Sequence, residues 1–549
     1  MNHHKTNSDD VSQDKTIVQE SRAPILIKNT FVVGVGTTLS RIFGLAREIL
    51  LSSAFGATWI TDAFFIAFII PNLLRRLFAE GALSTSVVPV FSQYAWKKDP
   101  KDARAFITAV FSGLLLTVSI ICFIGIVISP WLVNLIAVGF RGDPEKMVTT
   151  IRFTQIMFPF LLLISLSALL MGVLNVRHVF SWPAIAPIFF NLGIIFFILL
   201  FQDSLGAFAL AWGVLAGGIG QFAIQLVPFY QCGFRLHWMN QFWKNTGFRQ
   251  VISLMLPMTL ALAISQVNTL VDRIIALTLR EGAVSALYFS VRLVELPQGI
   301  FGVAIATAIL PQLSRHALQD NRREWEKVLF QGLRFILYTM LPLTVLLIVF
   351  RFESVALVYE RGQFDRSATM MTTAALLYYT PGLVFFSLNQ VLTKAFFSLK
   401  DTVTPVKISV FIVLLNIFLN VLLARYMDFP GLALATSLSA SANSILLYLY
   451  LVKKHSSLSA GKDFLVWLGK VTLLTILVGA VSSLILFLSG KPLVGTFGSI
   501  MFVLSAVVVL GMYALLSRFL GVGEGETLFS LIMCRRKKTE TSLSIDQEK

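Results

Sequence analysis

The chain is poor in charge, in cysteine and in histidine. Asp, Glu, Lys and Arg make up 13% of its 549 residues, roughly half the share in ordinary globular proteins. A soluble chain with so little charge and 56% hydrophobic residues could not hide its apolar surface. That excludes a cytosolic enzyme, a secreted disulfide scaffold and a disordered chain. Cys122, Cys232 and Cys534 share no metal-ligand spacing, so neither a zinc site nor a disulfide framework is supported. The six histidines are scattered over loops and termini. The patterns GxxxxGK[ST], HExxH and G-x-S-x-G are absent, and with them the sequence signs of an ATP motor, a zinc hydrolase or a serine hydrolase. No enzyme and no resident cofactor is expected. Acid is scarcer than base, 29 residues against 45, for a formal charge of +16. The basic loops lack a folded domain and aromatic interleaving, so no nucleic-acid partner is expected. The excess fits the Lys/Arg bias of cytoplasmic loops instead.

What the sequence has in abundance is long apolar runs, with a mean hydropathy of +0.78. A membrane-spanning helix needs about 20 mostly apolar residues. Fourteen such spans are expected, at 31–55, 60–92, 105–129, 149–173, 184–201, 206–230, 251–278, 284–312, 333–352, 371–396, 405–425, 430–452, 465–489 and 495–518. Barrel strands would be shorter and would alternate, so the fold class is all-α and polytopic. Loops after even-numbered spans hold most of the basic residues, among them Lys101, Arg104, Arg177, Arg235, Lys244 and Arg315. Loop charge therefore predicts both termini in the cytoplasm, which an even number of spans also requires. The first 25 residues carry no compact signal-peptide pattern.

An internal repeat is visible. Asp62-Ala-Phe-Phe, Pro71-Asn72 and Val88-Pro89-Val-Phe-Ser92 are echoed by Tyr288-Phe-Ser, Pro297-Gln298 and Leu310-Pro311-Gln-Leu-Ser314. Pro71 and Pro297 stand 226 residues apart and Pro89 and Pro311 222, so the second copy is four residues shorter. A weaker echo joins 175–191 to 398–416. Two echoes in the same order favour two six-helix halves over chance placement of proline, and such halves in transporters enclose the site. The last two spans fall outside the repeat.

Charges inside spans are functional candidates, since one at the bilayer centre costs roughly 2.5–3.5 kcal/mol on insertion scales. The first span contains Ser40-Arg41-Ile-Phe-Gly44-Leu-Ala-Arg47-Glu48. Arg41 and Glu48, seven apart, share a face, and Arg47 points elsewhere. Asp62 stands near the outer end of the second span, with Arg75 and Arg76 beyond Pro71 and Glu80 one turn later. The eighth span carries Arg292, Glu295 and Pro297. The plainer alternatives are a packing pair in the first and eighth spans, snorkelling of Arg75 and Arg76, and an Arg76–Glu80 surface pair. The seventh span places Ser265, Asn268 and Asp272 on one face with Arg273 next, the eleventh has Asn416 and Asn420, and the twelfth Thr436 and Ser437. These hard oxygens suit Na⁺ or a proton-linked site, and interhelical hydrogen bonding is the alternative. If Arg41, Arg47, Arg75 and Arg292 converge, they form a positive cavity for an anion with several oxygens, because arginine forks onto phosphate and carboxylate.

The runs 40–48, Thr61-Asp62-Ala-Phe-Phe-Ile-Ala-Phe, Pro71-Asn-Leu-Leu-Arg75-Arg76-Leu-Phe-Ala-Glu80-Gly81-Ala and Glu281-Gly-Ala-Val-Ser-Ala-Leu-Tyr288-Phe, continuing from Arg292-Leu-Val-Glu295-Leu-Pro297, resemble the MurJ (MviN) lipid II flippases. The resemblance covers 28–520. It implies the MOP exporter superfamily, about 14 transmembrane helices, and two six-helix lobes around a central cavity plus two C-terminal helices. The expected layout is an N-terminal cytoplasmic tail (1–27), an N-lobe (28–230), a C-lobe (231–455), lipid-facing groove helices (456–520) and a cytoplasmic tail (521–549). The implied activity is translocation of undecaprenyl-pyrophosphate-linked disaccharide-pentapeptide across the bacterial inner membrane, without covalent chemistry. By resemblance the cavity arginines are Arg41, Arg47, Arg75 and Arg292, with Glu48, Asp62, Arg76, Glu80 and Glu295 as supporting charges. The family's sodium site falls on Asp272, Asn416, Asn420, Thr436 and the carbonyl of Leu432. Two departures stand out: Val291 occupies a position where the family often has an acid, and Asn420 replaces the second acid of the sodium site. Sodium, a proton or the membrane potential therefore all stay open as the drive. Lipid II and membrane lipids are the implied partners, with contacts to cell-wall synthesis proteins left open. Other readings are an exporter of another lipid-linked sugar or of drugs, a non-transporting scaffold for cell-wall synthesis proteins, and a membrane glycosyltransferase.

Overall fold

The computed structural model describes residues 23–77, 83–97, 99–454, 461–490 and 492–525, which are helical with short connections and contain no strand. By contact they fall into two compact units, Met1–Leu270 and Val271–Lys549. The first holds α1 (Ala23–Phe55), α2 (Trp59–Leu74), α3 (Ser84–Lys97), α4 (Pro100–Val127), α5 (Ser129–Ile136), α6 (Pro144–Met157), α7 (Phe160–Val176), α8 (Ser181–Leu205) and α9 (Phe208–Gln231). The division falls inside α10 (Thr246–Leu277). The second unit holds α11 (Ala283–Pro297), α12 (Val303–Leu318), α13 (Arg322–Val349), α14 (Arg351–Tyr359), α15 (Arg366–Tyr379), α16 (Gly382–Ser398), α17 (Val403–Met427), α18 (Phe429–Lys454), α19 (Lys462–Ser489) and α20 (Gly495–Phe519).

Helix ends follow the local chemistry. The carboxylates of Asp99, Asp143 and Asp365 accept from Lys101 N, Lys146 N and Ala368 N at 2.9, 3.2 and 2.8 Å. Pro100 and Pro144 occupy first-turn positions, where the missing N–H costs nothing. Inside the apolar helices, hydroxyls turn back on their own backbone, as with Ser165 Oγ to Leu161 O (2.7 Å) and Thr380 Oγ1 to Leu376 O (2.6 Å). Such bonds satisfy groups for which lipid offers no partner.

Ten helices among the described residues are long and apolar enough to cross a membrane, or eleven if α15 and α16, bent by 46°, make one span. This measure does not confirm the expected count of fourteen. The remaining expected spans are 31–55, 60–92 and 251–278, and all three hold charged side chains. Within the second of them α2 ends at Leu74 and α3 begins at Ser84, and 78–82 lie outside the described residues. A wide-wound turn at 75–77 follows Pro71, and another at Gln298–Gly302 follows Pro297. The matched prolines of the repeat thus share a structural consequence, since each removes one N–H from the ladder and the following turn widens. The short helices α5 and α14 were not expected.

In the first unit α1 lies along α8. A Cβ on Gly36 would stand 2.8 Å from Ala184 Cβ, and Asn191 Nδ2 donates to Ser40 O at 3.3 Å. α8 and α9 cross closer still, with Gly193 against the Gly217 backbone. In the second unit Tyr338 and Phe350 of the α13 region bury against Trp467, Val471 and Val478 of α19 and Val509 and Tyr513 of α20. The two helices outside the repeat therefore share a core with α13.

Candidate functional site

In the first unit, the fold presents the charged motif of α1 against α8. Glu48 is buried, and its carboxylate pairs with Arg47 rather than with Arg41. Arg41 and Glu48 do share a face by spacing, yet the neighbouring guanidinium reaches the carboxylate first. The Arg47 guanidinium also lies over the Phe190 ring, 5.9 Å from its centre, a favourable cation–π distance. Arg41 is exposed. Asp62 is fully buried in the first turn of α2, where the helix dipole favours a carboxylate. Arg75 is half-buried on the wide turn after Pro71, its Nε donating to Asn72 Oδ1 at 3.0 Å. Arg76 is exposed and reaches Gln266 Oε1 at 3.3 Å. Glu80, expected one turn after Arg76, lies outside the described residues, so the Arg76–Glu80 pair does too.

In the second unit, Arg292 is held from two sides. Its Nη1 meets Glu295 Oε2 at 2.7 Å and its Nη2 donates to Tyr288 Oη at 3.0 Å. The pair with Glu295 spans one helical turn. The Arg292 guanidinium also sits over the Tyr288 ring at 4.8 Å, and so does that of Arg273 at 5.4 Å. Arg273 Nη1 donates to Val284 O at 3.1 Å. One aromatic ring thus carries two guanidiniums, an arrangement the sequence reading missed. The i, i+4 spacing of Tyr288 and Arg292 was the available signal; the contact with Arg273 had none.

The expected oxygen cluster forms in part. Asn420 Nδ2 donates to Asp272 Oδ1 at 2.5 Å and to Asn416 Oδ1 at 2.8 Å. Asn416 Nδ2 in turn donates to Ser439 Oγ at 3.1 Å, another residue not foreseen. Thr436 Oγ1 donates to Leu432 O at 2.9 Å. Ser437 is used elsewhere, bonding Tyr378 O at 2.6 Å. The side chain of Ser265 is outside the described residues. Asn420 Oδ1 is buried with no hydrogen-bond partner among the described residues. An orphaned, buried amide oxygen beside a carboxylate fits a cation as well as it fits a hydrogen-bond network.

The model of the family described as "Lipid II flippase MurJ" matches residues 51–508. The chain belongs to the MurJ lipid II flippase family. It is 34% identical over 424 residues to the probable lipid II flippase MurJ of Buchnera aphidicola from Acyrthosiphon pisum, covering 77% of this chain and 83% of that one. It is 34% identical over 434 residues to the lipid II flippase MurJ of Burkholderia cenocepacia, covering 78% and 84%. The solved lipid II flippase MurJ in an inward closed conformation superposes with a TM-score of 0.74 at 26% identity, over 89% of this chain and 99% of that one. An inward-facing multidrug MATE transporter of the MOP superfamily superposes at 0.60 with 12% identity, over 76% and 95%; this second likeness concerns the fold alone. The MurJ family and the apolar helices make this a multi-pass inner-membrane protein, a transporter rather than an enzyme.

Proposed function

We propose that this chain translocates lipid II from the inner to the outer leaflet by alternating access. The carrying observation is membership of the MurJ family together with arginines set into apolar helices of both units. In this reading Arg41, Arg47 and Arg75 of the first unit and Arg292 of the second bind the pyrophosphate or the peptide carboxylates of the head. Guanidinium is suited to this because its fork gives paired, charge-assisted hydrogen bonds to such groups. Glu48 holds Arg47, and Glu295 with Tyr288 holds Arg292, so each head is oriented before the anion arrives. Asp62 and Arg76 adjust the local field, and Glu80 belongs to the same charged stretch. The undecaprenyl tail stays in the bilayer while the head crosses. Multidrug exporters often take cations, which an arginine cavity repels.

Asp272, Asn416, Asn420, Thr436 and the Leu432 carbonyl would hold a sodium ion. The ion would supply binding energy that favours one state of the cycle. Asp272 brings the one carboxylate of this set and Asn420 the orphaned oxygen. Both termini lie in the cytoplasm, on the side of the basic loops. Lipid II and the surrounding lipids are partners in this reading, and it needs no protein partner.

The test is complementation in cells depleted of their own lipid II flippase, scoring lipid II in the outer leaflet. Wild type is expected to rescue. Arg47→Ala and Arg292→Ala, at equal membrane levels, are expected to fail. Normal flipping by well-expressed Arg292→Ala would remove that residue from the site, and failure of well-expressed wild type would move the cargo to another lipid-linked anion.

A further inference from the structure

A second basic feature lies in the first unit, away from the charged motifs above. The end of α3, the start of α4, the turn after α7 and the turn after α9 meet around a cavity of about 120 Å³. Its walls include Tyr94, Arg104, Arg177, Cys232 and Phe234. The walls are packed with aromatic rings. Phe234 packs on Phe91 and Phe229, with ring centres 5.8 and 5.7 Å apart, and Tyr94 stacks on Phe106 at 4.9 Å. Gly233 takes a left-handed φ of +82° at the turn, where a side chain would be strained. Ser112 Oγ accepts from Met239 N at 2.9 Å, which ties the 232–245 loop to α4.

The cavity is positive. No carboxylate lines it; Asp99, close in sequence, is used in capping α4. The Arg177 guanidinium is steered by the Phe234 ring, 5.8 Å away. Among the described residues neither Arg104 nor Arg177 has an ion-pair or side-chain hydrogen-bond partner, although arginines elsewhere in the unit do. Trp96, at the end of α3, is exposed, as are Trp238 and Trp243 in the loop that follows Phe234. Tryptophan concentrates at the depth of lipid headgroups. Val227 and Tyr230, also exposed, precede the cavity on α9, which offers an apolar track for acyl chains.

We infer that this cavity binds the phosphodiester of an anionic phospholipid in the leaflet on that side. Basic pockets between transmembrane helices at headgroup depth take phosphate groups in this way. A cavity of this size takes a phosphate group and not a disaccharide-pentapeptide, and the proposal assigns it to a resident lipid.

Native mass spectrometry of the full-length protein in mild detergent, with graded palmitoyl-oleoyl-phosphatidylglycerol, tests this. Wild type retains one phosphatidylglycerol in preference to phosphatidylcholine. Arg104→Ala/Arg177→Ala binds it about thirty-fold more weakly, taking ~1 kcal/mol per arginine near a membrane surface. Cys232→Trp keeps both charges, fills the cavity and also loses the lipid. Arg315→Ala/Lys327→Ala, in the other unit, leaves retention unchanged. Thermal melting separates loss of the site from loss of the fold. Equal retention by wild type and both cavity variants would overturn the inference. So would a cavity that retains inorganic phosphate but no phosphatidylglycerol, or displacement of the lipid by equimolar undecaprenyl pyrophosphate, which would hand the cavity to the cargo.

Discussion

Arg292 shows how a single charge is held in place by its neighbours. Glu295 sets one arm of the guanidinium and Tyr288 the other. Removing the Tyr288 hydroxyl alone deletes one hydrogen-bond acceptor, whereas removing the ring also deletes the surface under both Arg292 and Arg273. Tyr288→Phe should therefore keep most lipid II binding, and Tyr288→Leu should lose about 0.5–2 kcal/mol of it, the range of a cation–π contact. Binding of lipid II to purified variants checks this, and equal affinities for Phe and Leu would show that the ring does not position the arginine. Asp401 lies in a connection outside the spans. Its contact with Lys454 Nζ at 2.7 Å, followed by bonds from Thr404, pushes the carboxyl down to about 2. A depressed native value stabilises the fold above the unfolded carboxyl's range and loses that stability as pH falls through the native value. Lys454 is half exposed, so screening limits the effect to under about 1 kcal/mol. Asp401→Asn should melt slightly lower than wild type at neutral pH, with the gap closing between about pH 4 and 2. A gap unchanged across that window in detergent melts would remove the linkage.

Element packing rests on small residues where helices nearly touch. A Cβ on Gly217 would lie 2.5 Å from Phe190 O, and one on Gly193 would lie 2.4 Å from Gly217 N. The obstructing atoms are backbone and cannot rotate away. Gly217→Val is expected to destabilise the first unit by about 1–3 kcal/mol or more, the usual cost of overpacking. Because α8 also supports Asn191 and Phe190 beside α1, this variant should weaken Arg47-dependent binding as well. Gly34, with open space around its Cβ, is the control position, where Ala should change neither property. At the other end of the chain, Glu524 joins Arg334 Nε at 2.8 Å and accepts from Trp467 Nε1 at 2.9 Å. This fastens the segment after α20 to α13 and α19.

At the scale of the whole molecule the open matter is the drive. Asp272, Asn416 and Asn420 form a bonded set in which Asn420 Nδ2 serves two oxygens. With Asn420 in place of a second acid, Na⁺ would bind less tightly than at a two-carboxylate site. Flipping in proteoliposomes should fall when Na⁺ is replaced by choline, and Asp272→Asn should remove that dependence. Flipping that ignores Na⁺ but stops when the potential is collapsed would assign the drive to charge movement, at about 2.3 kcal/mol per charge per 100 mV.

By itself the sequence determined the all-helical membrane class, because runs of apolar residues that long admit no other fold in lipid. It also marked the charged positions, which stand out against an apolar background, and a repeat whose two prolines each precede a widened turn. Family membership was legible in the same motifs. Tertiary structure alone decided the partners: Glu48 takes Arg47 and not Arg41, Arg273 joins Arg292 on Tyr288, and Ser439 enters the oxygen set. Helical period fixes which residues share a face within one helix. It does not fix which helix lies opposite, or which of two neighbouring guanidiniums reaches a carboxylate first. The phosphate-sized cavity depends on four segments brought together from 94 to 234, and no local pattern in any one of them encodes that meeting.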